Sequence, residues 1–144
     1  MNNLKSKFLN LKSGFTLIEL LVTMTIVAVL LSIALVSYQG ARKSARDGKR
    51  KADLEQIRSA LEMCRTDAGS YPTTIYSDIT CGTPAKTYLS GTPKDPSTSN
   101  NYYYLGATNT YTLCAYLEVG GVDGSCGTAS CGPGKTCNYK VTNP

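Results

Sequence analysis

Residues 15–39 form one apolar run, and the only charged side chain in it is Glu19. As a helix this run would extend ~37 Å, more than the ~30 Å hydrocarbon layer of a bilayer. After Tyr38 the pattern changes. Leu54, Ile57, Leu61 and Cys64 recur at spacings of three, four and three, the mark of a helix with one apolar stripe. Asp53, Glu55, Arg58, Glu62 and Arg65 lie off that stripe, with Arg58 placed four residues before Glu62 to pair with it. No proline interrupts the chain before Tyr71, so one helix is predicted from about residue 15 to 67. Gly48 weakens it by ~1 kcal/mol. Gly69 is expected to cap its end, with Pro72 close behind.

Beyond the helix the period shortens to two. Residues 70–100, rich in proline, serine and threonine, read as a long connecting region tethered by Cys81. Residues 101–105 and 110–118 read as strands joined by a hairpin turn at residues 106–110. In the second strand Tyr111, Leu113, Ala115 and Leu117 share one face, and Thr112, Cys114, Tyr116 and Glu118 the other. Residues 120–135 form a glycine-rich loop, and Cys137, Tyr139 and Val141 alternate as a last short strand. The fold class is therefore α+β: a long N-terminal helix, half hydrophobic and half amphipathic, whose second half packs on a small antiparallel sheet.

Of the formal net charge of +5, three units come from Lys5, Lys7 and Lys12, before the apolar run. Arg42, Lys43, Arg46, Lys49, Arg50 and Lys51 crowd the start of the amphipathic half, opposed by Asp47. The plain reading of that cluster is a solvated face that meets lipid headgroups. DNA contact or pairing with acids of a neighbouring subunit are sharper alternatives. Counted alone, the six bases outnumber the three leader lysines and would hold the C-terminal part in the cytoplasm. The cysteines argue the other way. Cys64, Cys81, Cys114, Cys126, Cys131 and Cys137 make an even set in a small domain, which reads as a disulfide framework formed in an oxidising compartment. Six cysteines allow 15 pairings, and sequence does not choose among them. Zinc is a poor competitor: there is no histidine and no Cys-x-x-Cys. No cofactor is expected.

The strongest local signal is Gly14-Phe15-Thr16-Leu17-Ile18-Glu19 behind a short basic leader. A carboxylate in hydrocarbon costs at least ~2.5 kcal/mol at mid-helix, which marks Glu19 as functional. Leader, glycine, phenylalanine and a glutamate at this spacing resemble the class III signal sequence of type IV pilins and the pseudopilins of type II secretion. The resemblance is strong over residues 12–39. It is weaker at Gly69-Ser70-Tyr71-Pro72, a Gly-x-Tyr-Pro that is common after the long helix of this family. Pro93-Lys94-Asp95-Pro96 is similar to a segment of major pseudopilins, but Ser97-Thr98 follows where those usually have Trp-Gly.

The resemblance implies a pilin-like ladle divided into a leader (residues 1–14), a membrane or filament-core helix (15–39), an amphipathic half (40–68) and a globular head (69–144). It implies that prepilin peptidase cuts after Gly14 and N-methylates Phe15. It further implies that Glu19 attracts the Phe15 amine of a neighbouring copy. Many members carry proline and glycine where this chain has Ala28 and Val36. The implied partners are copies of the chain in a helical filament, the peptidase, the assembly platform with its ATPase, and the inner membrane before assembly. The cysteine-laced tail and the missing Trp-Gly favour a type IV pilus filament on the cell surface, serving adhesion, motility or DNA uptake. The alternative is a major pseudopilin of type II secretion. Major pseudopilins also have a calcium loop, for which Asp95 and Asp123 are the candidate acids; two scattered acids fall short of calcium's six to eight oxygens. With no histidine, no Gly-x-Ser-x-Gly, no phosphate loop and no paired acids on a helix face, the chain does not read as an enzyme.

Overall fold

A computed structural model describes residues 14–120 and 126–144. The leader lysines and Asp123 lie outside the described residues. Helix α1 runs Leu17–Ala68, followed by β1 (Ile79–Cys81), β2 (Lys86–Leu89), β3 (Tyr103–Gly106), β4 (Tyr111–Ala115) and β5 (Tyr139–Thr142). The chain divides into two units, Met1–Tyr38 and Gln39–Pro144.

In the first unit the apolar part of α1 covers nothing among the described residues. Its large side chains from Leu17 to Val36 are all at least 47% exposed, the least being Val22. A surface this apolar is stable only against lipid or other chains. Thr23, Thr25 and Ser32 fold their hydroxyls back onto the carbonyls of Leu20, Val22 and Ala28, so their polar groups are satisfied within the helix.

In the second unit the expected stripe is the core. Leu54, Ile57, Leu61 and Cys64 are fully buried and pack with Ala60 against Tyr71, Ile75, Ile79, Tyr104, Tyr111, Leu113 and Val141. Gly69 ends the helix with φ 75°, and its N–H donates to the Arg65 carbonyl. The main sheet is antiparallel in the order β3-β4-β5, with Tyr104 opposite Leu113 and Leu113 opposite Val141. Asn138 clamps the chain beyond β4, donating to the Leu117 carbonyl and accepting from the Leu117 N–H.

Cys114, on the strand face opposite that of Leu113, is buried as well and is cross-linked to Cys126. Three expectations need correction. Residues 70–100 are not only a connection: β1 and β2 pair as a separate antiparallel hairpin. Arg58 reaches Glu55 at 3.6 Å rather than Glu62, whose carboxylate instead accepts the hydroxyls of Tyr71 and Tyr111. Asp53, placed off the stripe, is buried and accepts the Tyr102 hydroxyl at 2.8 Å. The disulfides are Cys64–Cys81, Cys114–Cys126 and Cys131–Cys137. The first ties α1 to β1; the other two hold the glycine-rich tail.

Candidate functional site

Two groups of residues carry chemistry, one in each unit. The first surrounds the start of α1. Thr16 is the N-cap: its Oγ1 accepts the N–H of Glu19 at 3.2 Å. Thr16 and Glu19 thus hold the Thr-x-x-Glu spacing of a capping box, and this signal is readable in the sequence. Glu19 sits in the first helical turn, where the partial positive charge of the helix end favours a carboxylate. It is exposed, as are Gly14 and Phe15. A side chain at Gly14 would meet nothing within 4 Å. Gly14 therefore has no steric duty among the described residues. Gly14, Phe15, Glu19 and the bare apolar surface all lie together at this end of the first unit.

The second group lies in the head, and the charge run at residues 42–51 does not form a uniformly solvated face there. Arg50 is 1% exposed. Its Nε and Nη2 donate to the two oxygens of Asp95 at 2.6 and 3.2 Å. Its Nη1 donates to Asp47 at 2.8 Å and to Glu118 at 2.9 Å. Arg46 grips Glu118 with both Nε and Nη2, at 2.7 and 2.6 Å. Asp47 also accepts the backbone N–H groups of Glu118 and Val119. Lys49 lies 3.6 Å from Asp53. Arg42, Lys43 and Lys51 remain exposed, and the Lys51 ammonium stands 5.4 Å from the Tyr139 ring centre.

Burial by itself would lower the pKa of Arg50, but its hydrogen bonds to Asp95, Glu118 and Asp47 outweigh that and raise it. The hydrogen bonds from Arg46, joined by those from Arg50, hold the Glu118 carboxyl down at about 2 against the opposing effect of burial. Asp95 is also lowered: burial opposes ionisation, and Arg50 with the N–H groups of Ser97 and Thr98 overcomes it. At the other end of the head Tyr88 donates to Asp67, and Lys86 lies 3.2 Å from the same carboxylate. Those two contacts lower the Asp67 pKa.

Sequence reasoning missed the buried cluster because a run of bases reads as a wet surface. One signal pointed to it. Asp47 and Arg50 extend the stripe of Leu54, Ile57, Leu61 and Cys64 backward at spacings of three and four. Asp95, weighed as a calcium ligand, is committed instead. Its Oδ1 accepts the N–H groups of Ser97 and Thr98 as well as Arg50, and its Oδ2 accepts Arg50. The described residues hold no group of three or more His, Cys, Asp or Glu able to bind a metal.

Comparison with known proteins separates the two halves in the same way. The Prokaryotic N-terminal methylation motif matches residues 9–35, spanning Gly14, Phe15 and Glu19. The type II secretion system (T2SS), protein G model matches residues 37–132. The chain is 30% identical over 125 residues to the type II secretion system core protein G of Vibrio cholerae serotype O1, covering 76% of this chain and 85% of that one. It is 28% identical to the core protein G of Aeromonas hydrophila, covering 81% and 87% of the two chains. The core protein G of Pseudomonas aeruginosa is 30% identical, covering 78% and 89%. No solved structure matches. The matches favour the secretion alternative over the pilus filament that the cysteine-laced tail and the missing Trp-Gly pointed to.

Proposed function

Because this chain belongs to the type II secretion system protein G family, we propose that it is the major pseudopilin of such a system, with a structural and not a catalytic role. Before assembly the apolar part of α1 anchors it in the inner membrane. Prepilin peptidase cleaves after Gly14, and Phe15 becomes a methylated N-terminus. The assembly platform and its ATPase then add the chain to a short helical filament of its own copies.

The observation that carries this reading is the protein G match over residues 37–132, which covers the amphipathic half of α1 and the head as far as residue 132. The methylation motif alone is shared by pilins and pseudopilins, so it does not discriminate. Glu19 supplies the register. A buried carboxylate and a buried ammonium each cost several kcal/mol when alone, and they offset one another when paired. A neighbouring subunit that sets its Phe15 amine against Glu19 satisfies both charges. A subunit one step out leaves both orphaned. The stacking of exposed Leu, Ile and Val side chains supplies the bulk attraction.

The test is deletion of the chain in its native cell, followed by assay of the culture medium and of sheared surface material. Loss of exported proteins from the medium supports the proposal. Intact secretion together with loss of long surface fibres refutes it and restores the pilus reading.

A further inference from the structure

Three segments distant in sequence converge on one guanidinium. Asp47 comes from α1, Asp95 from the loop before β3, and Glu118 from the segment after β4. Arg50 meets the carboxylates of all three at 2.6 to 3.2 Å while being 1% exposed. Several carboxylates from separate loops around one buried positive centre is how proteins commonly use calcium, to tie loops together. Here the positive centre is covalently part of the chain.

The acids have nothing left to give a metal. Both oxygens of Asp95 are engaged, and Oδ1 holds three donors. Asp47 meets Arg50 and two backbone N–H groups. Glu118 is gripped by Arg46 and Arg50 together. Among the described residues no buried side-chain nitrogen or oxygen lacks a partner. The resemblance to major pseudopilins suggested Asp95 for a calcium loop, and that residue does not fit one.

We propose that Arg50 is the resident cation of this carboxylate cluster, tying α1 to the loop before β3 and to the segment after β4 as a calcium ion ties loops, and that Asp47, Asp95 and Glu118 take no divalent metal while it is in place. The inference goes beyond the secretion reading and does not depend on it. It has a positive corollary. Two guanidinium groups, Arg46 and Arg50, face three carboxylates. Removing Arg50 leaves three acids against one base around a vacated space. That is an anionic hole suited to a divalent cation, so Arg50→Ala makes this cluster calcium-responsive.

The experiment is thermal unfolding of the full chain in detergent micelles, in excess EGTA or in millimolar calcium chloride. Arg50→Ala is expected to melt below wild type in EGTA by roughly 10 °C or more, since it strands buried acids. Calcium is expected to raise that variant by several degrees more than it raises wild type. An Arg50→Ala chain that responds to calcium no more than wild type does overturns the proposal. So does a variant that folds in neither buffer, since calcium then fails to take the place of the guanidinium.

Discussion

Replacing Glu118 by glutamine removes the one carboxylate that Arg46 and Arg50 share while keeping the shape of the side chain. Its folded pKa of about 2 stands against an ordinary value of 4.5. That gap corresponds to about 3 kcal/mol if no screening acts. The Arg46 side chain is 29% exposed and that of Glu118 14%, so water weakens the outer half of the pair. A loss of about 1–2 kcal/mol is the expected magnitude, or roughly 5–10 °C in Tm for a domain of this size. The pH dependence carries the discriminating information. Because the folded pKa is depressed, the stabilisation is fully present above about 4.5 and fades as pH falls toward about 2. The Tm gap between wild type and Glu118→Gln should therefore be widest near neutrality, narrow below pH 4.5 and close near pH 2. Asp67, also depressed, is held by Tyr88 and Lys86 outside this network, so it weakens both proteins alike in acid and cancels from the difference. The assay is thermal unfolding followed by circular dichroism of both full chains in micelles, across that range. A gap that stays constant from neutral to acid, or no gap at all, refutes the ion-pair account.

Glu19→Ala should enter the membrane normally and fail to form filaments, as judged by fractionation and electron microscopy; filaments of normal length and number would remove Glu19 from the register. Gly14→Val should keep its fold, since none of the described residues approaches that position, yet stay at unprocessed mass in the membrane fraction. A normally trimmed product would show that the small residue is not what the peptidase reads. Opening Cys64–Cys81 with a Cys81→Ser substitution should cost roughly 3 kcal/mol, from the 17-residue separation it closes. Chemical denaturation of the oxidised proteins checks this, and an unchanged midpoint contradicts it. Gly106→Ala should destabilise the head, because its Cβ would lie 2.6 Å from the Pro72 carbonyl and against the Tyr104 hydroxyl. A wild-type Tm for that variant would show that β3 can shift away at no penalty.

The helix was legible because its two halves carry different but regular patterns. The apolar stripe from Leu54 to Cys64 named its own core, and Gly69 marked the end. The β3–β4 hairpin and β5 were legible from two-residue alternation. The β1–β2 hairpin was not. Its strands have three and four residues, set among proline and threonine, and its link to α1 is a disulfide that no local pattern announces. The buried life of Arg50 was hidden for a similar reason. Its partners Asp95 and Glu118 lie 45 and 68 residues away, so composition around residue 50 says only that the region is basic. The spacing of Asp47 and Arg50 from Leu54 was the readable part. At the start of α1 the glycine, phenylalanine and glutamate were legible as a signature, and the Thr16 cap beneath them was equally open to reading.

The three cross-links join cysteines that are next to one another in order along the chain: first to second, third to fourth, fifth to sixth. No bridge spans another. A polypeptide delivered from its N-terminal side offers every thiol its rightful mate before a rival has arrived, so a simple oxidant acting in order of emergence reaches the native bonding set without a proofreading isomerase.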